Sequence, residues 1–328
     1  MTYPILITGA AGFIGYHMAA RLLADGHQVV GLDNLNDYYD PSLKQARLDQ
    51  LAPNPGFRFV RMDLGEDAGL SDLMRDLKPQ WVVHLAAQAG VRYSLTHPHA
   101  YAQSNLVGFL NILEACRATP PQHLLYASSS SVYGGNTKMP FHEDDPVNHP
   151  ISLYAASKRA NELMAHTYAH LYGLPASGLR FFTVYGPWGR PDMAYFKFVK
   201  AAFEGTPIEV FGHGQQKRDF TYIDDIIEGM VRLLAKPPAS DDGRAPHQVY
   251  NIGRHDPEDL MEFIATIERL TGRTLAKTMR PMQPGDVPAT YADVSRLTAQ
   301  TGFAPVVPLA QGLERFIAWY RSYYGIAA

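Results

Sequence analysis

Residues 8–15 read TGAAGFIG and place glycines at Gly9, Gly12 and Gly15. The run closes a short apolar segment, YPILIT from Tyr3 to Thr8, and opens an amphipathic pattern from Phe13 to Ala24 that stops at Asp25 and Gly26. A second strand-like run, HQVVGLD, follows. Strand, turn, helix and strand within about 30 residues form a βαβ unit. Glycines let the turn tighten and let its backbone approach a pyrophosphate. The helix that follows offers free N–H groups and a favourable dipole. The spacing is G-x-x-G-x-x-G rather than the usual G-x-G-x-x-G. Its place between a strand and a helix makes it a dinucleotide signal, with Gly9, Gly12, Phe13, Ile14 and Gly15 as the contacting turn.

The second strand ends in Asp33. A carboxylate there accepts hydrogen bonds from an adenosine ribose and repels a 2′-phosphate. The next residues are Asn34 and Leu35, not arginine, so NAD is expected rather than NADP. Asp63 and Leu64 after the third strand are expected beside the adenine, and Ala86 after the fourth also against the cofactor.

The alternation continues with FRFVRMD, LSDLMRDL, WVVHLAA, a helical stretch from Gln103 to Arg117, HLLYASS, a long helix from Tyr154 to Tyr172, and SGLRFFTVYG. Strands separated by helices predict an α/β fold, a Rossmann-like doubly wound parallel sheet. The pattern changes after Gly186. Residues 1–186 are expected to be mainly the NAD-binding domain. Residues 187–328 are expected to form mainly a smaller C-terminal substrate-binding lobe, with segments such as VYNIG returning to the sheet.

The chain has 328 residues, 46% hydrophobic and 19% charged, as in a globular protein. A net charge of −3 gives no electrostatic reason to expect nucleic acid or an anionic membrane. No apolar run approaches a membrane span. No targeting segment is legible, and the single cysteine, Cys116, reads as a buried thiol, so the chain is expected to be cytoplasmic. The 13 histidines are scattered. Only His166 and His170 have ligand-like spacing, without a nearby acid, so they read as surface residues and no metal is expected.

Two further motifs carry chemistry. SLYAASKRANE places Tyr154 and Lys158 four apart on one helix face. A free tyrosine has a pKa of ~10 and is a poor base. A neighbouring ammonium and a cationic nicotinamide both favour the phenolate. Shortly before lies SSSSVYGG, four hydroxyls with no carboxylate among them.

Together, TGAAGFIG, SSSSVYG and YAASK resemble the extended short-chain dehydrogenase/reductases of the sugar-nucleotide epimerase/dehydratase group. The resemblance covers essentially the whole chain, including SNLVGFLNILEAC, RFFTVYGP and RDFTYIDD. It implies that Tyr154 exchanges the sugar hydroxyl proton and that Ser129 hydrogen-bonds the same oxygen. Lys158 is implied to bind the nicotinamide ribose and tune Tyr154, with Asn105 in support. Dehydratases of the group carry an Asp–Glu pair where this chain has Ser130 and Ser131, and related decarboxylases usually carry a Glu. Without proton carriers there, elimination is not served. What remains is oxidation and reduction at one carbon. C4 epimerisation fits: hydride leaves C4, the 4-keto sugar turns over, and hydride returns to the other face with NAD staying bound.

NLNDYYDPSLKQARL, AAQAGVRYS and FFTVYGPWGRPDMA resemble the UDP-glucuronate 4-epimerases within that group. Thr183 and Arg190 are the candidates for the sugar carboxylate, because a guanidinium can grip it through two parallel hydrogen bonds. Arg92 is a second candidate cation, and Ser130 lines the same substrate. Against each arginine stands the plainer reading of an ion pair that anchors a loop. The resemblance also implies Arg218 at the diphosphate and Asp286 at the uridine ribose. Gln283 stands where hexose epimerases often have an arginine. The competing activities are a UDP-glucose 4-epimerase, then a UDP-glucuronate decarboxylase, then a non-catalytic NAD-binding regulator. The family commonly pairs two helices per subunit into a homodimer, and Gln103–Arg117 and Tyr154–Tyr172 are the candidate helices.

Overall fold

A computed structural model describes residues 3–66, 69–241, 243–283 and 285–327. Its first half runs β1 (Ile5–Thr8), α1 (Phe13–Ala24), β2 (Val29–Asp33), α2 (Pro41–Leu51), β3 (Phe57–Arg61), α3 (Leu70–Leu77) and β4 (Trp81–His84). Two short helices, α4 (Tyr93–Thr96) and α5 (Pro98–Tyr101), lead through a π-helical turn, Ala102–Val107, into α6 (Gly108–Ala118). Then come β5 (His123–Ser129), α7 (Leu153–Tyr172), β6 (Ala176–Phe181) and β7 (Thr183–Tyr185). The second half contains α8 (Ala194–Glu204), β8 (Ile208–Phe211), β9 (Lys217–Tyr222), α9 (Ile223–Leu234) and β10 (His247–Ile252). It ends with β11 (Pro257–Asp259), α10 (Leu260–Thr271), β12 (Lys277–Arg280), α11 (Ser295–Thr301) and α12 (Leu309–Tyr323).

Seven strands form a parallel sheet in the order β10-β6-β5-β4-β1-β2-β3. This is the doubly wound order, which reverses at β1 and opens a crevice at the strand ends. β1 and β2 are buried at every residue, as strands covered on both faces must be. One core cluster runs from Ile5 and Phe13 through Tyr185 and Phe196 to Phe316 and Tyr320, so sheet and C-terminal helices share packing. A three-stranded sheet, β11-β9-β7, and a two-stranded one, β12-β8, form the rest of the C-terminal half.

SGLRFFTVYG is not one strand. It breaks at Phe182, leaving β6 in the large sheet while β7 pairs with β9. Phe182 is buried in a separate cluster with Tyr133, Phe141 and Val147, and its side chain pins the crossing. The helix expected from Gln103 begins as the π-turn. The helix expected at Tyr154 begins one residue earlier, where the Ser152 hydroxyl caps Ala155 N–H, and it stops at Gly173 in the left-handed region. VYNIG returns to the sheet within β10. α2 starts at Asp40 and Pro41, whose carboxylate cap and preset φ favour a first turn.

Cys116 is buried, and burial pushes its thiol up to about 12. His166 and His170 are exposed, but surface placement does not hold for every histidine. His84 and His123 are buried, and desolvation holds them neutral, pushed down to about 3 and about 4. His84 Nδ1 bonds Thr8 Oγ1 at 2.8 Å, and His123 bonds Leu234 O and Ser177 Oγ. Both serve as internal polar ties. Among the described residues no group of His, Cys, Asp and Glu could hold a metal, and no helix is long and apolar enough to cross a membrane.

Candidate active site

A cleft of about 880 Å³ lies along the strand ends, and every candidate cofactor and substrate residue named above lines it. At one end is the glycine turn. Gly9 has φ of +71°, and a Cβ there would meet Ala86 N at 2.7 Å. A Cβ at Gly15 would meet Gly9 O at 2.0 Å, so α1 packs against the turn only without a side chain. α1 begins at Gly12 with no side-chain cap and no acid in its first turn, leaving its N–H groups and dipole for an anion. Asp33 is buried and accepts from Ala11 N at 3.1 Å and Leu35 N at 2.9 Å. Asp63 accepts from Asn34 Nδ2 and Gly65 N, both at 2.8 Å. A bare helix N-terminus, a cradle that excludes Cβ and a carboxylate at the second strand end together fit a dinucleotide without a 2′-phosphate. Lys44, absent from the sequence reading, approaches Asp33 at 3.9 Å.

In the centre, Ser129 ends β5 and accepts from Ser131 N at 3.1 Å, which starts the turn through Ser130. Ser129 lies beside Tyr154, where it favours the phenolate, so strand end and helix meet at one pair of hydroxyl residues in the cleft. Burial raises Tyr154 above the ordinary tyrosine range, offset in part by the Ser129 hydrogen bond and by the Arg190 charge. Lowering by Lys158 is therefore not what the chain's own geometry provides. Lys158 is 3% exposed and donates to Ala127 O at 2.9 Å, and burial pushes it down to about 8. Asn105 does not line the cleft. It accepts from Gln88 N at 2.8 Å and donates to Gln88 O and Ser157 Oγ at 3.0 Å, tying the loop after β4 to α7.

One carboxylate does reach the hydroxyl strand from behind. Glu162 accepts from Ser128 Oγ at 2.6 Å and from Arg180 at 2.8 and 2.9 Å. It lies outside the cleft, and although burial works to raise it, Arg180 holds it below the usual carboxylate range. It is a structural anion and supplies no acid or base to the site.

At the far end Thr183 opens β7, and Arg190 follows the loop after it. Arg190 is ion-paired side-on with Asp192, Nε to Oδ1 at 3.0 Å and Nη2 to Oδ2 at 2.5 Å. Tyr38 donates to Asp192 Oδ2 at 3.1 Å and lies under the guanidinium. Burial works to lower Arg190, and Asp192 more than offsets it, so the cation persists. The anchoring ion pair and the place in the cleft thus both hold. The pair uses one edge of the guanidinium and leaves Nη1 for another partner. Arg92 pairs with Asp286 at 3.2 Å and lies near Arg218, beside the residues expected at the nucleotide. Arg218 donates to Lys217 O and Pro288 O. Tyr38 and Asp192 were missed by sequence reasoning. Both lie inside segments singled out there, NLNDYYDP and GRPDMA, but their pairing spans 154 residues.

The model of the NAD dependent epimerase/dehydratase family matches residues 5–253. The chain is 49% identical over 331 residues to a probable UDP-glucuronate 4-epimerase of Rhizobium meliloti, covering 97% of each. It is 47% identical to UDP-glucuronate 4-epimerase 4 of Arabidopsis thaliana, covering 98% of this chain and 76% of that one. It superposes with a TM-score of 0.90 on UDP-glucuronic acid 4-epimerase from Bacillus cereus in complex with UDP-glucuronic acid and NAD. That match has 35% identity and covers 98% and 100% of the two chains.

Proposed function

Because the chain belongs to the NAD dependent epimerase/dehydratase family, we propose that it interconverts UDP-glucuronate and UDP-galacturonate by inversion at C4. The observation that carries this reading is the cleft itself. It joins a dinucleotide turn, a Ser129–Tyr154 hydroxyl pair and an arginine with a free edge, and its hydroxyl strand presents no carboxylate. The substrate side presents hydroxyls and a guanidinium that keeps one edge beyond its pair with Asp192, which suits a sugar acid and not a dehydration.

Gly9, Gly12, Phe13, Ile14, Gly15, Asp33, Asp63, Leu64 and Ala86 would hold NAD, with Lys158 and Tyr154 at its nicotinamide end. When bound, NAD would supply the acceptor and donor of a hydride at C4. Tyr154 Oη accepts the C4 hydroxyl proton and later gives it back, and Ser129 Oγ orients the same oxygen. The raised Tyr154 means that this chain alone leaves the phenol protonated at neutral pH, so its deprotonation relies on positive charge in the loaded site. Lys158, lowered by burial to about 8, still carries its proton at neutral pH and is placed to bond the ribose.

A 4-keto uronate is a β-keto acid. If its C5–C6 bond stands perpendicular to the ketone, the bonding pair passes to the carbonyl oxygen, CO2 leaves, and C5 takes a proton from solvent. Thr183 and the free edge of Arg190 hold the carboxylate so that this bond stays near the ketone plane. Ser130 flanks it, while Arg218 and Asp286 serve the diphosphate and uridine ribose. We place the reaction in the cytoplasm and in a homodimer built through α6 and α7, which leave Leu110, Leu163 and Leu171 exposed.

Proton NMR of the purified protein with UDP-glucuronate and no added NAD tests the reading. UDP-galacturonate is the expected product. A 4-keto pentose or UDP-xylose as the main product would replace epimerisation by decarboxylation. For Arg190→Ala the expected result is weaker UDP-glucuronate binding and more UDP-4-keto-pentose.

A further inference from the structure

Arg47, in the KQARL segment of α2, is 0% exposed. Its five N–H groups are all satisfied. Nε and Nη2 donate to Trp188 O at 3.0 and 2.7 Å, and Nη2 donates also to Gly189 O at 3.1 Å. Nη1 donates to Ala11 O at 2.8 Å and to the Tyr39 hydroxyl at 2.7 Å. Every acceptor is neutral, and among the described residues no carboxylate forms an ion pair with it. A charge is rarely buried on neutral partners alone, since desolvation is then repaid only by hydrogen bonds.

The Arg47 hydrogen bonds join two parts of the cleft. Ala11 belongs to the glycine turn, and Trp188 and Gly189 immediately precede Arg190. His17 on α1 adds a third anchor, bonding Pro187 O at 2.9 Å, so three successive carbonyls are pinned. The pinned segment has an unfavourable backbone. Trp188 has φ of +61°, a left-handed conformation that a bulky residue adopts only when its surroundings enforce it. A Cβ at Gly189 would meet the Tyr195 hydroxyl at 1.9 Å, so the segment cannot shift toward α8 without displacing that ring.

We propose that Arg47 is a positioning residue that makes the cofactor turn and the carboxylate grip one mechanical unit, fixing the backbone from which Arg190 projects. Asp192 holds the head of Arg190, and Arg47 holds its base. The inference rests on the assignment of Arg190 to the sugar carboxylate. It deepens that assignment by naming what makes the site selective for an acid: a cation aimed from a loop that the dinucleotide turn itself anchors.

The test compares Arg47→Met, which keeps length but no donor, with Arg47→Lys, which keeps charge but cannot reach Ala11 O and Trp188 O at once. NAD content and melting temperature identify folded, loaded protein, and Arg47→Lys is read if Arg47→Met does not fold. Dissociation constants are measured for UDP and for UDP-glucuronate, and the ratio of UDP-4-keto-pentose to UDP-galacturonate is read by NMR. Losing a hydrogen bond to a charged group costs on the order of 10–10²-fold in affinity. A loss of that order is expected for UDP-glucuronate, with UDP unchanged and the keto-pentose share increased. In an Arg190→Ala background the same Arg47 change is expected to add nothing. Equal weakening of UDP and UDP-glucuronate at a constant product ratio would reduce Arg47 to a prop and overturn the inference. So would an undiminished effect in the Arg190→Ala background. Wild-type affinity and product ratio in Arg190→Ala alone would instead sink the carboxylate assignment, and the inference with it.

Discussion

The hydroxyl edge and the acid grip sit in one cleft and are built on opposite principles. At the edge, Tyr154 and Lys158 sit beside neutral groups, Ser129 and Ala127 O, and desolvation is the largest influence on both: the phenol goes up, offset in part by Ser129 and by the Arg190 charge, and the ammonium goes down. At the grip, Arg190 is matched by Asp192 and keeps its charge despite burial. The edge thus holds groups whose protonation is set by solvent exclusion and can be moved by a charge brought beside them. The proposed grip holds a group that stays charged, so any selectivity it confers would depend on where the charge points. Tuning in one region is by solvent exclusion, and in the other by geometry.

The sharpest way to break this contrast is Tyr154→Phe. Removing the exchanging proton is expected to lower kcat by about 10²–10⁴-fold, with NAD content and UDP-glucuronate binding retained. A fall of less than tenfold in single-turnover rate would show that another group carries the proton. Next in size is Glu162→Ala, which leaves Arg180, 2% exposed, without its carboxylate. Breaking a buried pair costs roughly 3–5 kcal/mol, read as a lower denaturation midpoint. A change within error would mean that the polar layer behind the edge does not brace it.

Asp192→Asn sharpens the other side. With its internal counter-ion gone, Arg190 should favour UDP-glucuronate over UDP-glucose by a further factor on the order of tenfold, most visibly at low salt. The keto-pentose share should rise because the guanidinium is less oriented. Unchanged preference would show that Asp192 is a bystander. The smallest effect concerns Lys158. Its folded value of about 8 lies below the lysine norm of ~10.4. Between these values the unfolded chain keeps a proton that the folded one has shed, so stability rises with pH across that window and the penalty is complete below it. Denaturation of NAD-free protein from about pH 7 to about pH 9.5 should show this rise, and Lys158→Met should flatten it. An equal slope in both would place the titration elsewhere.

The cofactor half of the cleft was legible because its determinants are local. TGAAGFIG, Asp33 and Tyr154–Lys158 each lie within one turn or one helix, where spacing converts directly into geometry. The strand alternation likewise predicted the sheet, apart from the break at Phe182, which is decided by a buried cluster drawn from 132 to 294. The carboxylate end was legible only in part. Thr183 and Arg190 could be named, yet Asp192, Tyr38 and Arg47 could not.

By itself, then, the sequence determined the fold class, the glycine turn between β1 and α1, the absence of carboxylates on the hydroxyl strand, and the placement of Tyr154 and Lys158 on one helix face. Tertiary structure alone decided which charges are balanced, which are bare, and which way the grip faces. The physical reason is range. Backbone conformation and helix faces are set by neighbours within a few residues. Desolvation and ion pairing depend on groups such as Tyr38 and Asp192, or Arg47 and Trp188, brought together across 154 and 141 residues by the closing of the core.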